Sequence, residues 1–282
     1  MIKFGPAGNS LSFYDEGGKS TVEAMKWVAQ KGLNAYEYSC GKGINIGDET
    51  ALKIGKEAAA NGISVSIHAP YYTNLANPYT DKREATNQYI LRSLKTVRLM
   101  GGDRVVFHPG AYMKREPGEC RKIALAQMKQ LMQQIDDEGL SDMTVCPETM
   151  GKQGQYGTID EVLELCLVDD RIVPCFDFGH IYARSLGEIN SFAQFDDILC
   201  RIANKIGTER MRRMHIHFSQ IEYTKGGEKQ HHTFDSEWGP NFAFLAEALV
   251  KNNAEPTIIC ESAGTMAEDA QKMKKIYLGF CK

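Results

Sequence analysis

Short apolar runs alternate with stretches of helical periodicity along the whole chain. Runs rich in β-branched and aromatic residues at 2–5, 35–39, 64–67, 104–107, 143–147, 172–176, 214–218 and 257–260 predict strands. Between them, apolar residues return every three or four positions at 20–31, 49–61, 82–100, 118–138, 158–168, 190–206, 240–252 and 265–279, the pattern of amphipathic helices. In the third of these, NQYILRSLKTVRLM carries the stripe and Gly101-Gly102 stops it, and MAEDAQKMKKIYL in the eighth is built the same way. Strict βα alternation calls for a parallel sheet, and eight units favour closure into a (β/α)₈ or TIM barrel over an open doubly wound sheet. No Pro/Gly/Ser linker, low-complexity segment or composition shift divides the chain. Residues 1–282 are therefore expected to form one α/β barrel domain, with its active face at the carboxyl ends of the strands.

Composition adds limits. A 43% hydrophobic fraction can fill a barrel-sized core. No apolar run approaches the roughly 20 residues of a membrane span, and the amino terminus lacks a signal-peptide pattern, so a cytoplasmic protein without membrane contact is expected. Cys40, Cys120, Cys146, Cys166, Cys175, Cys200, Cys260 and Cys281 are scattered without a CxxC pair. They read as small buried hydrophobes rather than disulfides or thiolate metal sites. The net charge of −3 argues mildly against a nucleic-acid partner. A bound metal cluster would add positive charge that residue counting misses.

The histidines change the picture most. His68, His108, His180, His215, His217, His231 and His232 all avoid the predicted helices. Five stand at or just past the carboxyl end of a strand, and the last two lie in the loop after the seventh. The acids behave likewise: Glu148 ends VCPET, Asp177 ends VPCFD and Glu261 ends TIICE. An ionised carboxylate after a buried run is costly unless it is paired or bound to metal. Any one such residue is more often a satisfied strand end; six successive strands ending this way converge on a single site. Imidazole and carboxylate donors without thiolate suit catalytic Zn²⁺, Mn²⁺ or Fe²⁺. There are more donors than one ion can use, so two or three ions with a bridging carboxylate are expected, and no organic cofactor. Such centres activate water and stabilise in-line displacement at phosphorus.

The segments SIHAPYYTNLANP, VVFHPGA, PETMGKQGQYG, CFDFGHIYA, MHIHFSQ, GEKQHH and ICES, in that order, resemble the endonuclease IV family of trinuclear-zinc apurinic/apyrimidinic endonucleases. The likeness runs from about residue 2 to residue 279. It implies one zinc on His68, His108 and Glu148. A second would sit on Glu148, Asp177, His215 and Glu261, and a third on His180, His231 and an acid just before the latter. Glu148 and Glu261 would be the acids on which catalysis depends. The implied reaction is cleavage of DNA on the 5′ side of an abasic site during base excision repair, by metal-bound hydroxide, with the abasic nucleotide turned out of the stack. The family also suggests a monomer.

Three departures from the family pattern stand out. Where members commonly carry Asp-x-His for the third zinc, position 229 is Lys, and Glu228 is the expected substitute. His217 stands where many members carry Asn; it shares a strand face with His215 and is assigned to support that ligand from behind. The loop SCGKGINIG after the second strand lacks a longer polar stretch used by some members on DNA. Tyr71 and Tyr72 are placed at the minor groove beside the lesion. Lys152, with Arg184 and Lys225, is positioned to meet phosphates. The alternative is a metal-dependent sugar or sugar-phosphate isomerase or epimerase of the xylose isomerase-like barrel superfamily, with one or two ions. A non-catalytic DNA- or metal-binding protein is a third possibility.

Overall fold

Each predicted strand position carries part of the barrel wall in the computed structural model, which describes residues 1–281. The wall consists of β1 (Lys3–Pro6), β2 (Ala35–Ser39), β3 (Ser64–His68), β4 (Arg104–Phe107), β5 (Thr144–Pro147), β6 (Cys175–Asp177), β7 (His215–Phe218) and β8 (Thr257–Cys260). Strands β2-β3-β4-β5 form one parallel sheet and β1-β8-β7-β6 the other. Single parallel bridges, Ala7 to Glu37 and Glu148 to Cys175, join the two sheets and close the cylinder. At the first seam the strands approach so closely that a Cβ on Gly5 would lie 1.9 Å from the Ala35 carbonyl oxygen. Glycine there is what lets β1 lie against β2. The sixth strand is shorter than expected. Pro174 has no N–H for the ladder, so Ile172 makes only an isolated bridge to Val145 and the strand begins at Cys175.

The two-residue alternation separates two layers. Val65, Ile67, Val105 and Phe107 point outward into the main core, against Ile90, Leu94 and Val97 of the helix Thr80–Leu99. Val106, Cys146 and Cys175 point inward and form a small apolar cluster of their own. Most other inward positions near the mouth are polar. Six cysteines are buried as expected, while Cys200 and Cys281 are exposed.

All eight predicted helices are present. Three short ones are added, Leu11–Asp15, Phe178–Arg184 and Thr208–Arg212, with two small antiparallel pairs. Five to seven residues are too few to show a period, which is why the pattern did not reveal them. Two of the additions move site residues. His180, expected in a turn, sits on the helix Phe178–Arg184. His231 and His232, expected in a loop, lie on the strand Gly227–His232, paired with Gln220–Thr224. No helix among the described residues is long and apolar enough to cross a membrane.

Candidate metal centre

Consecutive strands deliver the donors to the mouth. His68 and Asp177 are the last residues of β3 and β6, and His108, Glu148 and Glu261 directly follow β4, β5 and β8. Glu148 is the hub and is 1% exposed. Its Oε2 lies 3.0 Å from His68 Nε2 and 3.4 Å from His108 Nε2. Its Oε1 lies 3.1 Å from His217 Nδ1 and 3.3 Å from His180 Nδ1.

The far ring nitrogens set tautomer and orientation. His68 Nδ1 donates to the Ala69 carbonyl at 2.7 Å, and His108 Nδ1 to the Tyr71 carbonyl at 2.8 Å. In each case the Nε2 side of the ring is thereby turned to the centre, the edge a metal-binding imidazole presents. His180 Nδ1 donates to the Thr149 carbonyl at 2.9 Å, which aims Nε2 at Glu228 Oε2, 3.4 Å away. Asp177 caps the His180 helix, its Oδ1 accepting the His180 backbone N–H at 2.7 Å. Its other oxygen is buried without a hydrogen-bond partner.

The expected ligand set is altered at the seventh strand. His215 is the first residue of β7, so it lies two residues, or about 6–7 Å, deeper than His217 along the barrel. His217, not His215, joins Glu148, Asp177 and Glu261 in one group of mutually close donor atoms, with its Nδ1 3.5 Å from Glu261 Oε1. His215 instead faces Glu37, at 3.0 Å from Nε2 to Oε2. Both rings point inward as foreseen, but depth sets His217 beside Glu148, Asp177 and Glu261, while His215 is grouped with Cys175 and His217.

Glu37 went unnoticed in the sequence. It is completely buried on β2, receives the Ser66 hydroxyl at 2.8 Å, and lies 2.8 Å from His217 Nε2, though that contact is not aligned for a full hydrogen bond. Its signal was available: an acid at an inward position of the apolar run AYEYS.

Glu228, His180 and His231 form a further group. His231 Nε2 is 3.9 Å from Glu228 Oε1, and His231 Nδ1 contacts the Ser219 hydroxyl at 2.8 Å. Residues three apart on a regular strand face opposite ways. Here the ladder pairs Glu222 with Gln230 and Tyr223 with Glu228, which leaves Lys229 bulged out. The extra residue returns Glu228 and His231 to one face, while Lys229 turns away to Glu222 at 2.6 Å. The hairpin is docked on the loop after β5, where a Cβ on Gly151 would lie 2.7 Å from Glu228 Cβ.

A cleft of about 380 Å³ opens over the centre, with Tyr71 and Lys152 on its wall beside His68, His108, His231 and Glu261. Tyr72 is not on that wall. Its ring packs edge-on against Tyr89 at 5.0 Å and its hydroxyl donates to the Lys42 carbonyl at 2.8 Å. Arg184 is taken up by backbone, donating to the Lys152 and Gln155 carbonyls at 2.7 and 3.0 Å, so it braces the cleft instead of lining it.

The electrostatics fit divalent cations. Glu148, Asp177 and Glu261 crowd together, and burial pushes the Asp177 carboxyl up to about 6. Burial would also raise Glu148, but His217 and hydrogen bonds from His108, His180 and His217 hold it well below the usual carboxylate range. Burial opposes charging His68, yet its bond to Glu148 raises it to about 9. His180 and His217 are likewise raised well above the ordinary value, against burial, by the acids around them. The metal-free protein therefore holds His68 protonated at pH 7.5. Because a ligating imidazole is neutral, zinc loading is expected to release protons. Calorimetry at pH 7.5 should give a binding enthalpy that varies with the ionisation enthalpy of the buffer, fading as pH rises past about 9. The stability these pairs lend the metal-free fold is complete below the unfolded histidine value of about 6.5 and lost as pH rises through the folded values. A buffer-independent enthalpy at pH 7.5 would contradict this.

Comparison with known proteins agrees with the architecture. Residues 25–276 match the profile of the family described as xylose isomerase-like TIM barrel. An uncharacterized protein of Methanocaldococcus jannaschii is 38% identical over 282 residues, covering 98% of this chain and 97% of its own length. A probable endonuclease 4 of Acholeplasma laidlawii is 29% identical over 195 residues, 62% of this chain and 65% of the relative, so that match spans less than two thirds of the endonuclease. Among solved structures, a D-tagatose 3-epimerase-like protein superposes with a TM-score of 0.70 at 19% identity, over 99% of this chain and 97% of its own, a likeness of fold alone. A closed ring of eight parallel strands, with imidazoles and carboxylates gathered at its carboxyl pole and a profile match over most of its length, makes this chain a member of the xylose isomerase-like TIM barrel family.

Proposed function

We propose that the protein is a multinuclear metal-dependent phosphodiesterase that nicks DNA at apurinic/apyrimidinic sites. The observation that carries this reading is the His180–Glu228–His231 group, distinct from the Glu148–Asp177–His217–Glu261 group. Together with His68 and His108, these are more donors than a one-ion centre uses. His68, His108 and Glu148 would hold one ion, Glu148, Asp177, His217 and Glu261 a second, and His180, Glu228 and His231 a third. Zn²⁺ suits the donor set, and Mn²⁺ or Fe²⁺ would fit it too. When bound, such ions supply Lewis-acid charge to phosphoryl oxygens and activate a water. The chain's own groups do the rest. Glu148 and Glu261 keep the imidazoles in place and fix the negative charge that recruits the ions. Lys152, exposed on the cleft wall, meets the phosphate of the flanking nucleotide. Tyr71, half exposed at the rim, offers a ring to the unstacked lesion. Tyr72, tied to Lys42 and Tyr89, fixes the shape of that loop from outside the cleft.

Metal-loaded protein is expected to cut duplex DNA bearing one tetrahydrofuran abasic analogue, to spare undamaged duplex, and to lose the activity on chelation. Elemental analysis should return two or three ions per chain. Intact lesion DNA after incubation with fully metallated protein would remove this reading. The second reading is a sugar or sugar-phosphate epimerase or isomerase. It is favoured by the Glu148–Asp177–His217–Glu261 group taken alone, a carboxylate-rich set for one ion, and by the net charge of −3. One ion per chain and turnover of a ketose would select it.

A further inference from the structure

The barrel carries a second concave site at its opposite pole. A cavity of about 200 Å³ lies at the amino ends of β1, β3, β4 and β8, with Lys3, Ser64, Asp103, Arg104 and Thr257 on its wall. Lys3 and Thr257 are register partners, so they stand at one level, and Ser64 and Arg104 open their own strands. The wall thus holds two cations against one carboxylate.

That carboxylate serves Arg104 from the outside. Asp103 accepts from Arg104 Nε at 3.0 Å, with its own side chain 65% exposed against 17% for Arg104. Nη1 of Arg104 is left without a hydrogen bond among the described residues. The Lys3 ammonium forms neither a hydrogen bond nor an ion pair with any described residue. Burial pushes its ammonium down, and the neighbouring guanidinium pushes the same way. Asp103 offsets the repulsion between the two cations only in part for Lys3, whose ammonium stays lowered, so an anion entering the cavity would find both attractive. The Thr257 hydroxyl, on a residue only 8% exposed, and the Ser64 hydroxyl likewise find no hydrogen-bond partner among the described residues. Both hydroxyls are therefore free to bind a ligand in the cavity. There is no imidazole on this wall, and its one acid is already paired with Arg104, so the wall favours an anion over a cation.

The geometry points to a binding site for a small tetrahedral oxyanion of the inorganic phosphate class, held by Lys3 and Arg104 and oriented by the Ser64 and Thr257 hydroxyls. The anion adds counter-charge where four strands begin, so its binding stabilises the barrel. The site stands apart from the metal centre and does not rest on the function proposed for it.

The test follows thermal unfolding of metal-loaded protein against inorganic phosphate, with sodium chloride matching the ionic strength. The midpoint should rise and saturate in wild type, as ligand linkage requires, and chloride should not reproduce the rise. Lys3→Gln should raise the half-saturating phosphate about tenfold or more, the loss of one charge-assisted bond. Phosphate held at the metal centre, or general salting-out, would shift wild type and variant in parallel, and that result overturns the proposal. If Lys3→Gln does not fold, Thr257→Val decides. It removes one hydroxyl without touching charge and should weaken phosphate several-fold; an unchanged half-saturation overturns the site equally.

Discussion

Glu148→Gln is expected to lower abasic-site nicking by about 10²–10³-fold, the scale of losing one preorganised charge-stabilising group, and to leave the protein with at least one ion fewer. Four histidines converge on this carboxylate at 3.0 to 3.4 Å, and it belongs to two of the candidate ion-binding groups. An amide is neutral and presents one acceptor oxygen where the carboxylate presents two. The shape survives while the negative charge shared by two groups vanishes. Metal content by elemental analysis, read beside the nicking rate, separates this from a local defect in DNA contact. A Gln variant that kept both its ions and its rate would show that Glu148 is an ordinary buried acid.

Glu37→Gln should act from a layer below and differently. The variant is expected to bind zinc about 10–100-fold more weakly, the usual cost of losing a partner that orients a metal-binding histidine. Its metal-free form should lose about 3–5 kcal/mol of stability, because a buried ionic group is left without its counter-charge. Glu37 is completely buried against His215 and His217. Burial would raise its carboxyl, yet the two imidazoles hold it well below the ordinary range. A depressed carboxyl contributes stability above its unfolded value, about 4.3, and loses it as pH falls through the folded one. The stability gap between wild type and Glu37→Gln should therefore narrow in acid. Unlike Glu148→Gln, this variant should regain nicking when zinc is raised, since it changes affinity without removing a donor. A gap independent of pH, or no zinc rescue, would sink the positioning role.

Much of this was legible in the chain. Period-two and period-four patterning marked the barrel strands and their crossover helices, because burial of one face is a local property of each element. The same patterning located His68, His108, Glu148, Asp177 and Glu261 at strand ends. Short elements were not legible. The helix Phe178–Arg184 has seven residues, and the hairpin strand holding Glu228 and His231 is irregular at Lys229. A periodicity needs length and regularity to appear at all.

The sequence by itself determined which side of each strand faces the barrel interior, and so which residues were eligible for the centre. It did not determine how deep each sits. Alternation gives His215 and His217 the same facing; only the stagger of β7 between β6 and β8 sets His217 level with Glu148, Asp177 and Glu261 and leaves His215 below with Glu37. Stagger arises from closing eight strands into one ring, a relation between residues about forty positions apart that no local pattern encodes. For the same reason the pairing of Lys3 with Arg104 at the far pole is invisible in the chain, where they are about a hundred residues apart, and plain in the fold.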